Sequence, residues 1–337
     1  MDDNDVEVLE AEEKRTDEGN GKNNKKKIQK PAPASVLMLV SAVLILLFRL
    51  TIRYISDRLG GYAGVALLEI LIFLIPGYLY LRLTGFNKSS KTLGNELRIN
   101  RIKAEHIFMI IAAAVFMMSV TLILDIIFRG VYSAGEGFSL YSTFSLSGID
   151  APYVFIFPVI SFALLPAVCE EFMFRGVLFN SYAKHGWSCA VLTCSVFFSL
   201  FAFDPSLIPS SIFVSVLLFF LLSVTNSLPV CMVVHFIYNI YGIFIRTNVS
   251  NYFLSSGNVV LLILIIVFFI LLSGAALCAE FSRKFKNMAK NKEEPPELFE
   301  KSDFRKVIGQ TVKNFWDPAV LIFFGLYIVF YAIDLIF

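Results

Sequence analysis

Two clusters of residues in this 337-residue chain have types and spacing suited to chemistry. The first is Cys169-Glu170-Glu171-Phe172-Met173-Phe174-Arg175-Gly176, set inside a long apolar stretch. Glu171 and Arg175 are four apart, so on a helix they share a face and can pair, which lowers the cost of burying either charge. Glu170 lies about 100° further round the same helix. It points elsewhere and is available as a general base toward water. The second cluster is His235-Phe236-Ile237-Tyr238-Asn239, with imidazole and carboxamide again at i and i+4. A neutral imidazole and a carboxamide suit hydrogen bonding to a carbonyl and to the oxyanion that forms when it is attacked. The alternative is that His235 and Asn239 only bridge helices, as polar residues in membrane bundles routinely do.

The elements that must position these groups are membrane helices. The composition is 57% hydrophobic with 35 Phe and only 17% charged, above the roughly 45–50% apolar content of soluble domains. Lys+Arg 29 against Asp+Glu 27 leaves a net charge of +2, without the positive field needed against phosphates, so no nucleic acid partner is expected. The five cysteines, Cys169, Cys189, Cys194, Cys231 and Cys278, show no CxxC pair and no zinc-knuckle spacing. Runs of about 20 apolar residues suffice to cross the hydrocarbon, and they recur near 35–55, 62–83, 105–128, 151–169, 187–203, 208–225, 229–247, 257–280 and 317–336. The expected fold class is therefore all-α, a polytopic membrane helical bundle of about nine transmembrane helices, with membrane lipid as its surroundings.

Basic residues set the expected orientation. Lys25, Lys26, Lys27 and Lys30 precede the first span, Lys88, Arg98, Arg101 and Lys103 follow the second, Lys184 follows the fourth, and Arg283, Lys284, Lys286 and Lys290 follow the eighth. All fall on one side if the N-terminus is cytoplasmic and the C-terminus lies opposite. The organisation expected along the chain is a disordered charged tail over 1–33, an N-terminal hairpin with its loop over 34–104, a membrane core over 105–280, a charged linker over 281–316, and a last helix over 317–337. Further charges fall within the spans: Glu69 in the second, Asp125 in the third, and Arg49 and Arg53 in the first. Pairing between neighbouring helices is the expected account, ahead of a proton or ion path.

The ordered clusters resemble the CPBP intramembrane proteases, also called the Abi family, which include the type II CAAX prenyl endopeptidases. That family carries Glu-Glu-x-x-x-Arg on one helix, Phe-x-x-x-His on a following helix and His-x-x-x-Asn on a later one. Here Glu170-Glu171-Phe172-Met173-Phe174-Arg175 matches the first and His235-Phe236-Ile237-Tyr238-Asn239 the third, while Phe198-Ser199-Leu200-Phe201-Ala202 places Ala202 at the histidine position of the second. The resemblance covers roughly 105–280. It implies hydrolysis of a membrane-borne or membrane-proximal peptide. Glu170, Glu171, His235 and Asn239 would then be catalytic, with Arg175 and Phe174 supporting. It also implies a divalent metal such as zinc, for which Glu170 and His235 are the candidate ligands, a short set against the usual three protein ligands. Because an alanine methyl has no lone pair, the sequence admits an enzyme of reduced activity or, alternatively, a catalytically degenerate scaffold or regulator of membrane proteins. A transporter is the third reading, and it would call for repeated halves.

Overall fold

The computed structural model describes residues 34–59, 61–84, 90–129, 156–291 and 304–336. The tail over 1–33, most of the loop after the third span, and the Pro295-Pro296 part of the linker lie outside the described residues. Among the described residues every regular element is a helix. In chain order these are α1 (Ala34–Leu59), α2 (Gly61–Glu69, a π-turn Ile70–Leu74, and Ile75–Leu83), α3 (Ser90–Glu96) and α4 (Ile107–Arg129). There follow α5 (Ile156–Pro158, Val159–Leu164, Leu165–Glu171, Phe172–Leu178 and Phe179–Ala183 in unbroken succession), α6 (Trp187–Leu200) and α7 (Ile208–Thr225). The chain continues through α8 (Leu228–Tyr241, Gly242–Arg246 and Thr247–Ser255), α9 (Val259–Lys290), α10 (Phe304–Phe315) and α11 (Pro318–Ile336).

The polytopic all-helical architecture agrees with the apolar pattern. Among the described residues six helices are long and apolar enough to cross a bilayer, or up to seven if α10 and α11, bent by 70° at their junction, act as one. Trp187–Leu200 is a shorter apolar helix. Helix α6, with 14 residues, reaches about 21 Å at 1.5 Å per residue, less than the roughly 30 Å of hydrocarbon. Its run stops at Leu200 instead of continuing to 203 because Phe203 takes a left-handed φ of 50°. Asp204 then caps the next turn, its Oδ1 accepting from the Ser206 N–H at 2.9 Å.

Prolines shape the two helices on which the site depends. An α-helical ladder would have the residue at 76 donate to Ile72, but Pro76 has no N–H. The Ile72 carbonyl instead accepts from buried Ser41 Oγ of α1 at 2.8 Å, so a lost ladder bond becomes a tie between helices. In α5, Pro158 and Pro166 bracket the π-segment Val159–Leu164, and a second π-segment, Phe172–Leu178, begins directly after Glu171. Such π-turns are rare and concentrate at functional sites. Gly77 permits the close approach of α2 to α5, since a Cβ there would stand 3.1 Å from Phe172 Cε1. One apolar core joins these elements, from Met38 in α1 through Phe174 and Leu218 to Phe323 in α11.

Candidate active site

Helices α5, α7 and α8 bring the charged residues together. Glu171 is fully buried, and its Oε1 accepts from Arg175 Nη1 at 3.0 Å and from His235 Nδ1 at 2.8 Å. Arg175 is also buried, and its Nη2 donates to Ser215 Oγ of α7 at 3.0 Å. Its guanidinium lies over two aromatic rings, Phe198 at 4.6 Å and Phe219 at 5.0 Å, where the ring quadrupoles add to the attraction of the carboxylate. Phe174 packs edge-on against Phe198 and Phe201, which holds α6 beside the motif helix. A buried ion pair of this kind needs such extra partners to offset its desolvation.

The geometry determines which atom His235 presents. An ionised carboxylate only accepts, so Nδ1 must carry the proton donated to Glu171. In the neutral ring Nε2 then holds a lone pair, and it faces Glu170 Oε2 at 4.0 Å. That is too long for a direct hydrogen bond, so the two groups face each other without bonding. With Nδ1 donating to Glu171, Nε2 can donate to an oxyanion only after it has taken up a proton. Glu170 keeps an 18% exposed side chain beside a fully buried Glu171, so the two adjacent carboxylates occupy different surroundings.

Asn239 does not join this group among the contacts shown. Its Nδ2 donates, at a long 3.4 Å, to the Ala163 carbonyl in the first π-segment of α5. Ala202 lies in the turn that ends α6, its N–H directed to the Ser199 carbonyl at 3.3 Å. His106 sits at the start of α4, its Nδ1 accepting from the Lys103 N–H at 3.4 Å, and His185 lies in the exposed turn between α5 and α6. Partial burial and then the Lys184 charge lower the His185 pKa. Neither ring belongs to the cluster around Glu170.

Other buried polar residues were legible to different degrees. Asp125 of α4 forms an ion pair with Arg246 of α8, both buried, which is the inter-helix pairing expected for Asp125. Arg246 was the missing half, and its signal was a basic residue inside an apolar run opposite an acidic one. Ser215 carried no signal, since serines are common in such helices. Glu69 is fully buried on α2, whose Gly61–Glu69 segment packs against the Glu170 segment of α5. The side chains of Arg49 and Arg53 lie outside the described residues.

The donor set was tested against a zinc-type site. Glu171 Oε1 is already shared by Arg175 and His235 Nδ1, which leaves Glu170 and His235 Nε2 as converging donors. Among the described residues no group of three or more His, Cys, Asp or Glu is placed to hold a metal. Two donors do not fit the three protein ligands of a catalytic zinc, so no step is derived through a metal.

Residues 152–241 match the family described as type II CAAX prenyl endopeptidase Rce1-like. The matched segment contains all three motif positions, from Glu170 to Asn239. This match supports the resemblance to the CPBP/CAAX proteases drawn from the motifs. No curated protein matches the chain, and no solved structure does.

Proposed function

We propose, from this CAAX-protease-like core, that the protein is an intramembrane endopeptidase that hydrolyses a membrane-borne or membrane-proximal peptide at Glu170 and His235. The observation that carries the reading is the order of the contacts: Arg175 to Glu171, Glu171 to His235 Nδ1, and His235 Nε2 facing Glu170. Glu170 takes a proton from water as the water attacks the peptide carbonyl. The facing of Glu170 and His235 then supports transfer of that proton to Nε2. The resulting imidazolium is held by Glu171 and protonates the departing amine. Glu171 and Arg175 act as positioning residues: they set the tautomer and orientation of His235, as a carboxylate does for a catalytic imidazole in serine hydrolases. Asn239 ties α8 to the π-segment of α5 and keeps His235 at its distance from Glu170.

The tail over 1–33 belongs in the cytoplasm on the positive-inside rule, and the C-terminus on the opposite side. The deciding experiment compares new peptide N-termini in membranes expressing the natural protein and Glu170→Gln. Termini that vanish in the variant support the endopeptidase and identify its substrates. Identical profiles from two folded, inserted proteins overturn it. Ala202 favours a second reading, a scaffold that retains the buried network for packing alone. On that reading Glu170→Gln leaves both the profile and the partners unchanged.

A further inference from the structure

Helix α10 divides its circumference into three arcs. The first faces the protein: Thr311 Oγ1 meets Cys189 Sγ at 3.5 Å, Asn314 Nδ2 donates to Thr193 Oγ1 at 3.1 Å, and Phe315 packs edge-on against Phe197. The second is apolar and turned outward. Phe304, Ile308 and Val312 recur every four residues, and Trp316 extends the row just past the helix; they are 73%, 42%, 46% and 69% exposed. Lys306 and Lys313, seven apart, are exposed on the third, basic arc, and exposed Arg305 stands within the apolar row, seven residues before Val312. Apart from Phe315, the polar contacts are thus turned inward and the large apolar side chains outward, the reverse of a helix resting on a water-facing surface.

The bend to α11 supplies the orientation. α11 is an apolar helix of 19 residues, long enough to enter the hydrocarbon, and α10 leaves it at 70°. With α11 tilted about 20° from the bilayer normal, as membrane helices are on average, α10 lies about 50–90° from that normal, closer to the membrane plane than to the normal. We propose that α10 is an interfacial anchor. Its Phe304-Ile308-Val312-Trp316 row enters the boundary between headgroups and acyl chains of anionic lipid, and Arg305, Lys306 and Lys313 contact the phosphates. A helix with an apolar face beside a basic one binds lipid by both contributions. Charge complementarity and continuity with the membrane-entering α11 single out lipid as the occupant. The proposal is independent of the endopeptidase reading, because no group of the Glu170 cluster takes part in it.

The chain has two tryptophans, Trp187 and Trp316. Trp187→Phe therefore leaves Trp316 as the sole indole at the end of the apolar row. The full-length variant is placed in lipid nanodiscs, and Trp316 emission is followed with lipids brominated near the headgroup, lipids brominated near the chain end, and aqueous acrylamide. Strong quenching by the shallow bromines is expected. Dominant quenching by the deep bromines would make α10 a re-entrant segment, dominant quenching by acrylamide would place it in water, and either result overturns the proposal. Shallow-brominated phosphatidylglycerol should also quench more than brominated phosphatidylcholine at equal mole fraction. Neutralising Arg305, Lys306 and Lys313 to Gln should abolish that preference, each side chain contributing up to roughly fivefold. An unchanged preference in the triple variant rejects the basic arc as the lipid contact.

Discussion

Helix α8 carries two buried ionisable side chains, His235 and Arg246, and the two are handled differently. Arg246 closes on Asp125 of α4, a pair of opposite charges. His235 joins a longer chain, Ser215 to Arg175 to Glu171 to the imidazole, and that chain ends on a ring nitrogen facing the partly exposed carboxyl of Glu170. Both arrangements answer the same requirement, that an ionised group taken out of water needs a partner. The difference lies in the last member. A pair of opposite charges between two helices holds them together, whereas a network that ends on a lone pair beside a partly exposed carboxyl has a proton site left to use. Burial of charge alone therefore does not mark a catalytic site in this bundle.

The comparison is sharpest at Glu170. On the proposed endopeptidase reading, replacing it with Gln keeps the shape and removes the base, so peptide cleavage in membranes should fall by about 10²- to 10⁴-fold while the thermal unfolding of the purified protein stays unchanged. Arg175→Met leaves Glu171 and its buried charge without the guanidinium. The expected loss is about 3–5 kcal/mol of stability, read as a lowered unfolding midpoint in detergent. The double variant Glu171→Gln with Arg175→Met should recover much of that loss without recovering cleavage. Arg246→Met removes a buried partner in the same way and should destabilise by a similar amount, but cleavage per folded molecule should remain. If it abolishes cleavage in correctly folded protein, the division between His235 and Arg246 is wrong. The smallest effect is expected at the helix contact: Gly77→Ala sets a methyl 3.1 Å from Phe172 and should cost about 1 kcal/mol through overpacking, with cleavage measured per folded molecule nearly unchanged.

Much of this architecture was visible as pattern. Apolar runs marked the helices because hydrocarbon leaves the backbone no other partner than itself, and each expected run contains a helix. The Glu171–Arg175 pair followed from helical spacing, and the 3.0 Å contact agrees with it. The end of α6 was not readable: Phe201-Ala202 continues the apolar run, and only the left-handed Phe203 interrupts it. The segment 304–315 reads as part of a charged linker because Arg305, Lys306 and Lys313 dominate its composition. Its helix is stabilised by contacts to α6 that lie more than a hundred residues away in sequence.

The sequence by itself determined the class of the molecule, the order of its motifs and which side chains could bear charge or donate, because these depend on residue type and on spacing along one helix. Tertiary structure alone decided that Ser215 rather than another serine holds Arg175, that Arg246 answers Asp125, and that His235 turns Nδ1 to Glu171 and Nε2 to Glu170. The physical reason is that a ring's tautomer and a charge's partner are set by contacts between helices, whose relative rotation and depth come from the packing of many side chains and not from the period of any one of them.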